Sequence, residues 1–460
     1  MFAWKSDEFG RVIRAKARLV ARGFGQREGI DYFETFSPCP SVTTVRLLAA
    51  LACELDLELW HFDVEQAFVQ SQLEEDVFVR LPRGCGRFSG KVVKLARSLY
   101  GLKQASRTWH HLLIRCMLRL GFVQCPVDPC MFRLIENGVV AMVVVVHVDD
   151  VFAIGTKDRC VQFGADLKIF VPTTDLGELR WYAGLRFSRD RVSGTVTISQ
   201  QAVADAMVAK FGVTQSKDTP MAVDLKLYEF ASNEPDVSEP FRSLVGHLMW
   251  LAINTRPDIL NAVRAVARYS HTPKWLHWNA ALSILMYVRG TSDLGVTFQR
   301  GSGVDLELYV DSDFASKATD RRSVSGAIVM CAGACVAYLS KTQRSVTMSS
   351  CEAEYVAMGD GMKEAIFLRG LWCFVFVHRH VGSTLVHEDN LGALHLAKNP
   401  RTTPNSKHID IRHHFIRERV ARGEFKIVHV PSHLQHADFL TKPLPRESFL
   451  VHRNFTMDIL

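Results

Sequence analysis

The sequence has no apolar run approaching the ~20 residues needed to cross a bilayer. Its β-branched stretch from Val139 to Val146 reads as a buried strand instead. A signal peptide's apolar core is also missing, because the N-terminus, Met-Phe-Ala-Trp-Lys-Ser-Asp-Glu, meets charge at once. The 11 cysteines include no CxxC pair, and Cys331 and Cys335 have no second pair at zinc spacing. An odd, scattered set in a chain of 460 residues reads as reduced thiols, so a soluble protein of a reducing compartment is expected. No repeat of solenoid or propeller period is found. Hydrophobic residues make up 48% and charged residues 22%, which excludes a disordered or low-complexity chain.

What is present is enough chain for about three domains, each able to bury a core. Lys and Arg number 55 against 48 Asp and Glu, a net +7 that permits nucleic-acid binding without demanding it. Near the N-terminus, Lys16, Arg18 and Arg22 share parity, so on a strand they point to one face. A solvated edge strand carrying charge against aggregation would look the same. A helix-like segment follows at 45–55, then a strand at 57–64. Residues 98–120 read as a helix and 139–154 as a hairpin. The stretch 175–215 mixes strand and amphipathic helix, and 216–240 reads as a linker. Residues 241–289 are helical, and from Asp305 an α/β pattern of about 140 residues begins.

Two sets of carboxylates stand out. Asp149 and Asp150 sit at the hairpin tip between nearly uncharged arms. Turn chemistry alone would explain two aspartates there. On a buried hairpin, however, they repel each other and lose solvation, and a divalent cation relieves both costs. Asp63, ending another apolar strand, is a third candidate ligand. Three acids holding Mg²⁺ through oxygen suit phosphoryl transfer. In the last third, Asp311, Asp389 and Asp438 lie at the ends of successive elements. Glu352 and Glu354 fall in one helix about 200° apart, so one of them at most faces a given site. Each alone fits a cap or surface role. Together they suggest a second two-metal site.

At this point the sequence resembles a known family. Lys16-Ala-Arg-Leu-Val-Ala-Arg-Gly-Phe24, Glu34-Thr-Phe-Ser-Pro38, Phe62-Asp-Val64, Ser98-Leu-Tyr-Gly-Leu-Lys-Gln-Ala105 and His147-Val-Asp-Asp150 are similar to the reverse transcriptase of copia-type LTR retrotransposons. So are Asp175-Leu-Gly-Glu-Leu179, Tyr182-Ala-Gly-Leu185, Arg242-Ser-Leu-Val-Gly246 and Thr255-Arg-Pro-Asp258. The RNase H signature follows in Tyr309-Val-Asp-Ser-Asp313, Arg322-Ser-Val-Ser-Gly326, Ser350-Cys-Glu-Ala-Glu-Tyr355, Asp389-Asn390, Lys407-His-Ile-Asp-Ile-Arg412 and Ala437-Asp-Phe-Leu-Thr-Lys-Pro443. The resemblance covers essentially the whole chain. It differs at His147, where the family has Tyr, and at Ser106, where the family has Pro.

The resemblance implies an α+β and α/β architecture: a right-hand polymerase of fingers, palm and thumb, followed by an RNase H-like α/β domain. Its expected parts are fingers and palm at 1–215, a linker and helical thumb or connection at 216–300, an RNase H-like domain at 301–445 and a C-terminal tail at 446–460. It implies Asp63, Asp149 and Asp150 as polymerase metal ligands and as catalytic residues. Lys16, Arg18 and Tyr100 would bind the nucleotide, and Tyr182 and Gly184 would lie in a primer grip. In the nuclease it selects Asp311, Glu354 rather than Glu352, Asp389 and Asp438. His433 and His436 lie near that last acid, where either could assist proton transfer, and are read as solvated loop histidines. The implied cofactor is Mg²⁺, with Mn²⁺ as an alternative, two ions per active site. Implied partners are an RNA template, a DNA primer, RNA–DNA hybrid and dNTPs, with a second subunit or an integrase from the same polyprotein and no membrane. A cytoplasmic virus-like particle with nuclear entry is the expected location. No Asp-Ser/Thr-Gly of an aspartic protease is present, and the chain is expected to be the C-terminal piece of a Pol polyprotein. Two alternatives remain open on the residues: a catalytically inactive nucleic-acid-binding remnant, or an active RNase H attached to a dead polymerase.

Overall fold

A computed structural model describes residues 2–6, 11–228, 237–315, 320–380, 382–398 and 410–459. The chain opens with a hairpin, β1 (Phe2–Ser6) and β2 (Val12–Ala17), in which Lys16 pairs with Ala3. After an irregular stretch come α1 (Val42–Glu54), β3 (Glu58–Val64), the short α2 (Ala67–Gln70) and a ribbon of β4 (Phe78–Arg80) and β5 (Val92–Lys94). Next are α3 (Ala105–Arg119), β6 (Val123–Gln124), β7 (Met131–Glu136), β8 (Val139–His147), β9 (Asp150–Gly155), α4 (Lys157–Phe170) and β10 (Thr173–Glu178). The helix expected from residue 98 therefore starts at Ala105, after a run of turns.

The chain divides into two compact units, 1–41 with 58–179, and 42–57 with 180–460. This is not the division expected from the sequence. The first unit ends at 179 rather than 215, and α1 belongs to the second although it lies inside the first in sequence.

In the first unit a six-stranded sheet has the order β10-β3-β9-β8-β7-β6. Strand alternation gives it two faces. Phe62, Val64, Val144, Val146, Val151 and Ala153 point one way, into a core with Trp109 and Leu113 of α3 and Phe163 and Leu167 of α4. Edge-on ring pairs at 5.3 Å, Phe62–Phe163 and Phe122–Phe163, lock that layer. Truncating a buried Phe of this kind costs about 3–5 kcal/mol. The opposite parity carries His61, Asp63, His147 and Asp150.

The second unit holds β11 (Trp181–Tyr182), β12 (Leu185–Asp190), β13 (Thr195–Ser199), α5 (Gln201–Lys210), α6 (Phe241–Asn254), α7 (Pro257–Ala267), α8 (Trp275–Arg289) and β14 (Gly295–Gln299). It continues through β15 (Glu307–Asp313), β16 (Val324–Cys331), β17 (Ala334–Thr342), α9 (Ser350–Val375), β18 (Thr384–Glu388), α10 (Leu391–Lys398), α11 (Asp410–Ala421), β19 (Phe425–His429) and α12 (Arg446–Met457). A four-stranded antiparallel sheet, β11-β12-β13-β14, joins residues on both sides of the helical region. The second sheet has the order β17-β16-β15-β18-β19, with β18 parallel to both neighbours. The Thr255-Arg-Pro-Asp258 motif has a structural explanation. Arg256 and Asp258 form a buried ion pair at 2.8 Å, and the Tyr287 hydroxyl donates to Asp258 at 2.7 Å. Residues 446–460, expected as a tail, contain α12, whose Phe449, His452, Thr456 and Met457 are buried.

Candidate active sites

In the first unit the sheet register sets the site. Asp63 of β3 stands opposite Asp150 of β9, and Asp150 opposite His147 of β8. Only Val148 and Asp149 make the turn, and Val148 has φ 59°. A β-branched residue in the left-handed region costs of order 1–3 kcal/mol and persists only where its surroundings fix it. Two hydrogen bonds do so: Trp109 Nε1 donates to the Val148 carbonyl at 2.6 Å, and the Val64 amide donates to the Asp149 carbonyl at 2.9 Å. The turn breaks simple parity. Alternation along one uninterrupted strand would put His147 on the face of Asp149, but the turn sets it opposite Asp150 instead.

Asp63, Asp149 and Asp150 are all partly exposed. The Asp150 carboxylate lies 3.3 Å from His61 Nε2, a neighbour that the sequence reading missed. Tyr100 is held edge-on against Phe68 at 4.9 Å, and the Arg18 guanidinium lies 5.6 Å from its ring centre. Burial raises the Tyr100 hydroxyl's pKa, and the charges of Asp149 and Asp63 raise it further against Arg18. Arg18, Tyr100, Asp149 and Asp63 therefore share one electrostatic neighbourhood. Lys16 is placed by its backbone alone, and its side chain lies outside what is described. Tyr182 and Gly184 belong to the other unit. There Tyr182 is buried rather than on a surface, and Gly184 has φ 81° in the turn between β11 and β12.

In the second unit, Asp311 lies at the carboxyl end of β15 and Asp389 directly follows β18. These strands are parallel neighbours in which Tyr309 pairs with His387, so two residues further each delivers its acid to one edge. Helix α9 lies close over this face because Gly361 lets it: a Cβ there would meet Val310 Cγ1 at 2.8 Å. Glu354, in the second turn of α9, completes the group. Oxygens of Asp311, Glu354 and Asp389 lie within 4.8 Å of one another, and among the described residues no other such trio of ligand side chains occurs. Asp63, Asp149 and Asp150 do not converge this closely.

The two glutamates of α9 separate cleanly. Ser349 caps the helix by accepting from the Glu352 amide at 3.2 Å, and the Glu352 carboxylate accepts from the Met348 amide at 2.7 Å. Glu352 is thus part of a capping arrangement, while Glu354 faces the acids.

Asp438 opens a 3₁₀ turn (Asp438–Leu440) rather than a helix, and its carboxylate pairs with Lys442 at 3.0 Å. It lies outside the trio but acts on it electrostatically. The turn sits against β16 at Gly326, where a Cβ would meet Thr441 Cγ2 at 2.6 Å. That seat lets the Thr441 hydroxyl donate to Asp311. Burial, then the charge of Asp438, pushes Asp311 up to about 7, with Lys442 and Thr441 opposing. Burial, then Asp311, Glu388 and Asp389, holds Glu354 well above the usual carboxylate range. Its Oε2 is buried without a hydrogen-bond partner. Crowded, desolvated carboxylates with an unpartnered oxygen fit a hard divalent cation.

Two findings here depart from the sequence reading. His433 is exposed as expected, but His436 is buried, stacked on Phe455 at 3.6 Å, with its Nδ1 3.2 Å from that of His452. Helix α12 covers it, which a reading of 446–460 as a tail did not allow. Burial lowers its pKa to about 4. Glu388 was missed: it is fully buried, with one carboxylate oxygen accepting from the Asn390 amide at 2.9 Å. The signal was present, since Glu388 falls on the inward parity of β18 with Thr384 and Val386. Residues 407–409, the start of the Lys-His-Ile-Asp-Ile-Arg motif, lie outside the described residues.

The family model described as reverse transcriptase (RNA-dependent DNA polymerase) matches residues 1–223. A retrovirus-related Pol polyprotein from transposon TNT 1-94 of Nicotiana tabacum is 35% identical over 465 residues, 98% of this chain and 34% of that protein. The chain belongs to the Pol polyproteins of copia-type retrotransposons. A second member, from transposon RE2 of Arabidopsis thaliana, is 34% identical over 468 residues, 100% of this chain and 31% of its own length. The chain thus spans about a third of the length of these Pol relatives. An RNase H1 isolated from compost covers 30% of this chain and 92% of its own at 15% identity, with a TM-score of 0.25, a likeness too slight to bear weight.

Proposed function

We propose that this chain is the RNA-directed DNA polymerase and ribonuclease H portion of such a polyprotein. The observation that carries the reading is the trio of buried Asp311 and Glu354 with half-buried Asp389, assembled from two parallel strands and a helix within one family's motif order. In this reading the first unit supplies palm and fingers, and the strands β15 to β19 with α9 form an RNase H-like nuclease. Asp63, Asp149 and Asp150 would hold the polymerase cations, and Asp311, Glu354, Asp389 and Asp438 those of the nuclease. Mg²⁺ suits both all-oxygen sets. When bound, such ions activate the attacking oxygen and stabilise the leaving one in an in-line displacement at phosphorus.

The chain's own residues do the rest. Arg18 places a cation beside Tyr100, where an incoming nucleotide's phosphates need one, with Lys16 proposed for the same task. The half-buried Tyr100 ring, braced by Phe68, borders the sugar. The clamped Val148–Asp149 turn fixes Asp149 and Asp150 against reorientation. Thr441 holds the Asp311 carboxyl in place, and Lys442 offsets part of the acids' mutual repulsion. Substrates are then a DNA primer on an RNA template with dNTPs, and an RNA–DNA hybrid recognised by shape and 2′-hydroxyls.

One observation favours a second reading, an active nuclease with an inactive polymerase: the first unit's acids do not converge, and Asp150 is turned to His61. Primer extension on poly(rA)–oligo(dT), run beside cleavage of a labelled hybrid, decides between them. Both activities uphold the first reading, cleavage alone the second, and neither activity in folded protein refutes both.

A further inference from the structure

From Val77 to Val127 the sequence contains ten Lys and Arg and no Asp or Glu. This acid-free stretch outweighs the N-terminal basic segment, where Asp7, Glu8 and Glu28 intervene. Its first part is the β4–β5 ribbon. Phe78 pairs with Lys94 and Arg80 with Val92, and all four side chains stand on the exposed face; Val79 and Val93, paired on the other, are half-buried. The connection adds Arg83, Arg87 and Lys91, all exposed. Phe88 sits among them, 45% exposed, with Arg87 4.9 Å and Lys91 5.5 Å from its ring centre. Phe78 is 60% exposed.

The base of the ribbon is fixed. Val77 is buried with Leu102 and Ala105 and packs among Phe68, Leu95 and Leu99. The Leu95 amide donates to the Val77 carbonyl and the Ser98 amide to that of Ser71, both at 2.9 Å. Those contacts root the ribbon in the wall that carries Tyr100, beside Asp63 and Asp149.

We propose that the outer face of the β4–β5 ribbon is a binding surface for single-stranded RNA, with Arg80, Arg83, Arg87 and Lys91 on phosphates and Phe78 and Phe88 as stacking platforms for bases. This rests on the proposed polymerase reading for its purpose, leading a template strand towards Tyr100, but not for its chemistry. An edge merely protected from aggregation needs charge and no exposed rings. On this face Lys94 pairs with Asp76 at 2.6 Å, while Arg80, Arg83, Arg87 and Lys91 keep one sign over the rest of the ribbon, and two phenylalanines remain in water among them. That combination fits a flexible polyanion with π-faces. An acidic polypeptide would meet the charge but leave the rings unused.

The test measures anisotropy of a labelled oligouridylate of about 20 nucleotides with the full chain, between ~50 and ~300 mM salt. Replacing Arg80, Arg83, Arg87 and Lys91 together by Ala should weaken binding at least about tenfold at ~0.1 M salt, and make the salt slope shallower by about 3. Phe78→Ala with Phe88→Ala should weaken it about tenfold with the slope unchanged. If the fourfold variant does not fold, Arg87→Ala alone should reduce the slope by about 0.7. Coincident affinities and slopes for wild type and variants overturn the proposal. So does competition by polyglutamate as effective as by RNA of equal charge. Primer extension is read separately, so a chain that adds no nucleotides but shows these slope changes keeps the ribbon surface and loses the polymerase reading.

Discussion

The two acid sites are built in opposite ways. In the first unit three aspartates sit on one hairpin and its neighbour strand, partly exposed, with one of them turned to a histidine. In the second, acids converge from two parallel strands and a helix and are largely desolvated, Asp311 at 3% and Glu354 at 6% exposure. A hairpin brings its acids together by local register, and strain at Val148 is the cost. A crossover fold brings its acids together by packing, through close approaches at Gly361 and Gly326, and the cost is electrostatic: metal-free, those carboxylates repel one another out of water. The second site is therefore the more preassembled, and a bound cation is expected to matter more for its stability.

The largest effect that sharpens this contrast lies within one helix. Glu354→Gln removes a member of the trio and should lower hybrid cleavage by about a thousandfold or more. Glu352→Gln disturbs the α9 cap, should cost about 1 kcal/mol in denaturant unfolding, and should leave cleavage near wild type. Equal losses from the two would mean that the trio is not the site.

Next is the pH dependence of the metal-free protein. The folded pKa of Asp311, about 7, lies above its unfolded value near 3.8, so between these the native state holds more protons than the unfolded state. Stability should accordingly be highest below about pH 4 as far as this group is concerned, and should fall as pH rises to about 7, by about 2–4 kcal/mol. Mg²⁺ should restore it at neutral pH, and Asp311→Asn should flatten the slope. Urea unfolding across that range, with and without Mg²⁺, checks the sign.

The smallest expected effect concerns the other site. His61→Ala removes the contact to the half-exposed Asp150 and should lower the Mg²⁺ concentration for half-maximal nucleotide addition by up to about fivefold. A rise instead would mean that His61 orients Asp150 for the cation rather than competing for it.

Much of this was legible in the sequence where chemistry is local. The Asp149–Asp150 hairpin and the strand carrying Asp63 follow from period and turn residues, and the structure has both elements; period left Glu352 and Glu354 open, and only the resemblance chose Glu354. What was not legible depends on long-range packing. The two-residue turn set His147 opposite Asp150, which parity along a single strand does not reveal. Assigning α1 to the second unit needs Arg46, buried with hydrogen bonds to the Asn254 and Val336 carbonyls about 200 and 290 residues away in sequence. His436 looked like a loop residue until α12 covered it, and Glu388 stood next to the more conspicuous Asp389. Burial of polar groups at inward positions was the signal available and unused.

The central claim is that two separate acid sets serve two chemistries. The most direct measurement runs Asp150→Asn and Asp311→Asn, each checked for folding, through both primer extension on RNA and cleavage of RNA–DNA hybrid. We expect Asp150→Asn to lose nucleotide addition by orders of magnitude while retaining hybrid cleavage, and Asp311→Asn to do the reverse. A folded variant that loses both activities would contradict it.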